Sequence, residues 1–241
     1  MTNDYLALSF AAKSPERLGR FLAEILGGGA LVADSRGEVE LLPASPGGLV
    51  VRFRPWRERK RERNSLHFDV TSDSLTDQRR IVSLALTLGA RPYDVGQRPE
   101  EGHVVLADLE GNEFCVIEPG NQFLAGCGPL GALACDGSRE VGVFWSSVTG
   151  WPLVWDQNDE TAIRSPLGGP KISWGGDRAK TGVAPPRLRF ELTPPSGSEW
   201  PAEVARLIAL GATRVDDERV AGGRRVVMAD PDGQIFHVLT V

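Results

Sequence analysis

The chain has 241 residues, with 27 Lys and Arg against 32 Asp and Glu, a net charge of −5 and 41% hydrophobic residues. That apolar content excludes a disordered chain, and the acidic balance argues against a nucleic-acid partner. No stretch approaches the ~18 consecutive apolar residues of a membrane-spanning helix.

The N-terminal MTNDYLALSF lacks the basic start of a secretory signal. Three cysteines, Cys115, Cys127 and Cys135, have no spacing suited to a disulfide framework, so a reducing, cytoplasmic setting is expected.

In chain order, the first patterned segment is 14–26. Leu18, Phe21, Leu22, Ile25 and Leu26 recur at helical spacing. Ser14 is placed to cap this helix, Pro15 to open it and Gly27 to end it. A strand LVVRFR follows at 49–54 and runs into the basic segment 52–63, which is expected to be a solvated linker close to the mouth of a cleft.

Leu66, Phe68 and Val70 then alternate with His67 and Asp69, the period-two pattern of a strand with one face on the core. A helix near 74–88 stops at Gly89, and Asp108 to Gly111 forms a turn before a strand holding Phe114 and Val116. Residues 119–127, PGNQFLAGC, form a connector. The second part runs likewise, with a helix at 138–149, a strand at 187–192, a helix near 198–210, the turn Asp230 to Gly233 and a final strand with Phe236 and Val238.

The two parts are copies. SLHFDV matches RLRFEL, TLGARPYDV matches ALGATRVDD, and VVLADLEGNEFCVI matches VVMADPDGQIFHVL. Leu66 and Leu188, Gly89 and Gly211, and Gly111 and Gly233 are each 122 residues apart, so no gap is needed. SPERLGRFLAEILG at 14–27 echoes GSREVGVFWSSVTG at 137–150. Repetition of this kind marks duplicated structural units. Two domains are expected, 1–120 and 121–241, each of two βαβββ modules.

The pattern H-x-D-V, then LGA, then VVLAD-x-EGNEFCV resembles the vicinal oxygen chelate superfamily, which unites glyoxalases, bleomycin-resistance proteins and extradiol dioxygenases. The resemblance implies an α+β fold of two tandem glyoxalase-like domains, whose curved mixed sheets enclose clefts. It leaves open whether the domains pair with each other or each closes its own cleft. Metal-dependent members place ligands on the first and last strands of each module. Here those positions hold Ala7, Arg52 or Arg54, His67 and Cys115 in the first half. In the second half they hold Leu130, a position near Ser173 or Trp174, Arg189 and His237. Arginine stays protonated and does not ligate a cation.

No cofactor is therefore expected. A divalent metal remains a lesser alternative in the first domain, with Asp69 or Glu113 assisting His67 and Cys115. His67 can also be read as a hydrogen-bonded sheet histidine and Cys115 as an apolar filler.

Arg189 and Glu191 share a strand face; with His237 nearby, Glu191 would orient the ring and raise its basicity. An Arg–Glu pair satisfying itself in the cleft is the plainer alternative. Candidate catalytic residues are thus His67, His237 and Glu191. Candidate ligand contacts are Arg52, Arg54, Trp56, Asp69, Cys115, Trp174 and Arg189.

The expected function is metal-independent binding of an aromatic or antibiotic-like small molecule. A lyase, isomerase or dioxygenase is the alternative, metal-assisted or using His67 or His237 as base. A small-molecule ligand is the expected partner, with no nucleic acid and no membrane, for a monomeric pseudo-dimer or a homodimer.

Overall fold

The structure is a computed structural model that describes residues 5–45, 47–98, 100–176, 186–194, 200–220 and 223–240. Four βαβββ modules follow one another. The first holds β1 (Leu6–Ala12), α1 (Pro15–Ile25), β2 (Ala30–Ala33), β3 (Val39–Leu42) and β4 (Val50–Pro55). The second holds β5 (Leu66–Val70), α2 (Leu75–Thr87), β6 (Arg91–Pro92), β7 (Val104–Ala107) and β8 (Glu113–Val116). The third holds β9 (Leu130–Asp136), α3 (Arg139–Thr149), β10 (Leu153–Gln157), β11 (Glu160–Arg164) and β12 (Lys171–Gly175). The fourth holds β13 (Leu188–Leu192), α4 (Trp200–Ala209), β14 (Thr213–Val220), β15 (Gly223–Ala229) and β16 (Ile235–Thr240). The expected start of the last helix at 198 lies outside the described residues.

Each module leaves its first strand at an open edge, and an open edge must be paired or covered. The pairing crosses the repeat. Sheet one runs β14-β15-β16-β13-β1-β4-β3-β2 and joins the fourth module to the first. Sheet two runs β10-β11-β12-β9-β5-β8-β7-β6 and joins the third to the second. Both junctions are antiparallel pairs of first strands, β1 with β13 and β5 with β9. The ligand positions grouped by sequence half are thereby redistributed. Ala7, Arg52, Arg54, Arg189 and His237 belong to sheet one, and His67, Cys115, Leu130 and Ser173 to sheet two.

Side-chain packing, by contrast, joins neighbours in sequence. Phe10 lies 6.0 Å from Phe68 and Phe21 lies 5.8 Å from Phe114, linking the first two modules. Trp145 lies 4.8 Å from Phe190 and 5.1 Å from Phe236, linking the last two. Leu18, Phe21, Leu22 and Ile25 are buried on α1, as their spacing predicts. Gly27, Gly89, Gly150 and Gly211 end the helices with positive φ, a region an L side chain enters only under strain.

One cap differs from expectation. The Ser14 side chain makes no capping bond. Instead the Glu110 carboxylate, from the turn before β8, accepts from the backbone N–H of Lys13 at 2.8 Å and of Ser14 at 3.0 Å. At the equivalent position 122 residues on, Asp232 accepts from Ser138 N–H at 2.6 Å and Ser138 Oγ at 3.0 Å. The acidic turn of one module thus satisfies the free N–H groups of its neighbour's helix.

Candidate functional site

The helix-averted faces of the two sheets carry different chemistry. On sheet one, Glu191 is fully buried and pairs in register with His237. Arg54 reaches it from β4 with two bonds, Nε at 3.0 Å and Nη2 at 2.9 Å, and Arg52 Nη1 lies at 3.4 Å. Arg54 Nη1 also holds Glu38 at 2.7 Å, and Arg52 Nε holds Glu40 at 2.7 Å. Burial alone would raise the Glu191 carboxyl, but His237 and the two guanidinium groups hold it well below the usual range.

Glu191 acts to raise the basicity of His237, as expected, but the net shift of the ring is downward. Burial, then the charges of Arg189 and Arg225, outweigh the carboxylate and lower the ring to about 4. With 1% of its surface exposed, His237 is a buried imidazole whose neutral form is favoured. Arg189 Nη1 lies 3.3 Å from its Nε2. Arg52, Arg54 and Arg189, read as ligand contacts, are engaged within this network.

On sheet two the register aligns His67 with Ala134 and Ser173, and Asp69 with Cys115 and Ala132. One ligand atom from each of His67, Asp69 and Cys115 lies within 4.8 Å of the others. His67 Nε2 is 3.3 Å from Asp69 Oδ1, which is buried and accepts no hydrogen bond. Cys115 packs with Val105, Ile117, Leu124 and Ala132, and burial, reinforced by Asp69, pushes its thiol up. A nitrogen, an oxygen and a sulfur converging on one point fit a borderline divalent cation such as zinc, with a fourth position left open. Glu113, the other assisting carboxylate considered, pairs with Lys60 at 2.5 Å instead.

Beside His67 opens a cavity of about 310 Å³. Ala134 and Ser173 form part of its lining, with Asp136 and Glu160 at one end. Trp155 and Phe123 supply aromatic walls, with centroids 5.7 Å apart and planes at 85°. Phe123 comes from the connector, and Lys171 holds it there, with Nζ 4.5 Å from the ring centroid and bonded to the Phe123 carbonyl.

Trp174, read as a ligand contact, reaches the cavity but belongs chiefly to the core. It is 3% exposed and lies parallel to Trp145 at 6.5 Å. Alternation along β12 turns Ser173 to the cleft. Trp56 sits at the end of β4, its N–H bonded to Ala12 O, away from the cavity lining. The basic segment is tied down between the sheets, Lys60 to Glu113 and Arg63 to Asp136 at 2.8 Å.

A family profile described as a glyoxalase-like domain matches residues 7–117 and again 132–239. The chain belongs to this family. Its two glyoxalase-like copies make it a tandem member of the vicinal oxygen chelate superfamily. No curated protein matches it. Among solved structures, glyoxalase I from Zea mays is similar with a TM-score of 0.63 at 14% identity, covering 98% of this chain and 91% of its own. A putative dioxygenase from Bacillus subtilis is similar with a TM-score of 0.59 at 13% identity, covering 99% of this chain and 85% of its own. At such identity these likenesses speak to fold, while activity depends on site residues. No helix among the described residues is long and apolar enough to cross a membrane.

Proposed function

We propose that this glyoxalase-like protein captures a small aromatic, natural-product-like molecule in the sheet-two cavity, without needing a metal. The observation that carries the reading is the cavity itself, about 310 Å³ with an aromatic corner and a few polar groups. Small-molecule sites begin at about this size and have this mixture of apolar walls and sparse polar anchors. On sheet one, among the described residues, the ion pairs on Glu191 occupy the corresponding face.

Thermal-shift screening of an aromatic metabolite library tests the reading. A ligand present at a hundredfold excess over its Kd stabilises the protein by about 2.7 kcal/mol. Ala134→Trp, which fills the cavity, should abolish that shift. A library that stabilises nothing overturns the reading.

A second reading rests on the convergence of His67, Asp69 and Cys115. There these three side chains would hold a divalent cation, which acts as a Lewis acid on paired oxygens of a bound ligand. His67 would then do two things, since it borders both the donor cluster and the cavity. Cobalt titration followed by absorbance decides this reading. A thiolate charge-transfer band lost in Cys115→Ser supports it, and a titration without that band removes it.

A further inference from the structure

The charged groups around the cavity are distributed unevenly. Among its described lining side chains, Asp136 and Glu160 are the carboxylates, and neither Lys nor Arg is present. Glu160 forms no ion pair with any described residue. Its stem lies across Gly175, where an added Cβ would come within 2.9 Å of Glu160 Cγ, so glycine leaves the carboxylate room to lie over that end. Asp136 is bonded to Arg63, whose side chain is 57% exposed, so solvent weakens that compensation. The Cys135 thiol, also part of the lining, is raised first by burial and then by carboxylates of which Asp136 alone belongs to the described lining.

Lys171 keeps its positive charge at the opposite end, against the ring and carbonyl of Phe123, so the cavity runs from a positive end to a negative one. Between the two ends stands the indole of Trp155, perpendicular to Phe123. An aromatic face next to a carboxylate attracts an organic ammonium twice, through the ring quadrupole and through charge.

We infer that the sheet-two cavity selects organic cations, an aromatic amine whose ring lies against Trp155 and Phe123 and whose ammonium meets Glu160 and Asp136. The inference rests on the capture reading given above and specifies its ligand class. His67 and Ser173 then line the middle of the cavity, where a ligand's own hydroxyl or carbonyl groups would lie.

Calorimetric titration with three probes of one shape tests this: tryptamine as the cation, 3-ethylindole as the neutral form and indole-3-propionate as the anion. Tryptamine should bind about tenfold more tightly than 3-ethylindole, and both more tightly than the anion. Glu160→Gln, on an exposed side chain, should bring tryptamine down to the affinity of 3-ethylindole and leave the latter unchanged. Trp155→Ala should weaken both.

Equal binding of the three probes, or preference for the anion, with binding lost in Ala134→Trp, overturns the charge selectivity and keeps the cavity as a ligand site. Preference for tryptamine that survives both Glu160→Gln and Ala134→Trp places the amine elsewhere and overturns the inference. Failure of all three probes to bind counts against the capture reading itself.

Discussion

The two sheets are built from the same repeated module, yet one has closed its cleft and the other has kept it open. In sheet one, Glu191 draws Arg52 and Arg54 across the face, and Glu38 and Glu40 complete their charges. In sheet two, Ala132, Ala134, Ser173 and Gly175 stand at corresponding positions of the junction, and small residues leave a hollow that Trp155 and Phe123 border. A single fold thus yields an internal ionic lock or an open hollow according to side-chain size at a few inward positions. The buried lock is not a free gain in stability, because desolvating its charges offsets much of their attraction; what it does is make each member costly to remove alone.

The largest expected effect follows from breaking that lock. Glu191→Ala removes the buried carboxylate that two guanidinium groups share and should cost about 3–5 kcal/mol in urea unfolding. Glu160→Ala, at the open cleft, should change stability by less than about 0.5 kcal/mol. Equal costs at the two positions would contradict the contrast between closed and open faces.

The acid limb of stability sharpens the same comparison. His237 titrates at about 4 when folded and near 6.5 when unfolded, so its contribution is complete above pH 6.5 and is lost as pH falls toward 4. That contribution is on the order of 3 kcal/mol. His237→Gln should therefore flatten the pH dependence of unfolding between these limits. Glu191, held low, adds its own loss only below its unfolded value near 4.5. An unchanged acid limb in His237→Gln would show that the ring is not buried in its neutral form.

A smaller difference is expected between the two acidic turns. Glu110 both caps α1 and compensates the buried Arg187 at 3.0 Å, whereas Asp232 caps α3. Glu110→Ala should cost about 2–4 kcal/mol and Asp232→Ala about 1 kcal/mol. Ala134→Trp, in turn, should abolish ligand-induced stabilisation while the unliganded protein stays within about 1 kcal/mol of the parent.

Much of this architecture is legible in the residues. Gly27, Gly89, Gly150 and Gly211 mark the helix ends, and strand alternation places His67 with Asp69, and Arg189 with Glu191, on the faces they occupy. Three things are not legible, each for a physical reason. Local periodicity says which face a strand buries but not which partner closes its edge, so the crossing of the halves is hidden. Parity errors of one residue reverse a face, and this separates Ser173 in the cleft from Trp174 in the core. Burial decides basicity, and the neighbours that desolvate His237 come from several elements, so a carboxylate on the adjacent strand is a misleading guide by itself. Phe123 and Trp155 carry a signal in retrospect. The first is the lone aromatic of a Gly-rich connector, and the second stands on the edge strand of sheet two, just before a polar run.

The placement of Phe123 gives the connector between the repeats a second occupation. The covalent tether that joins the two copies is also a wall of the cavity, and Lys171 clasps it against the strands. Lengthening or shortening that tether by a residue or two would reshape the recess without altering a single strand. The shape of the recess can therefore drift by insertion and deletion in a surface segment while the sheets stay as they are.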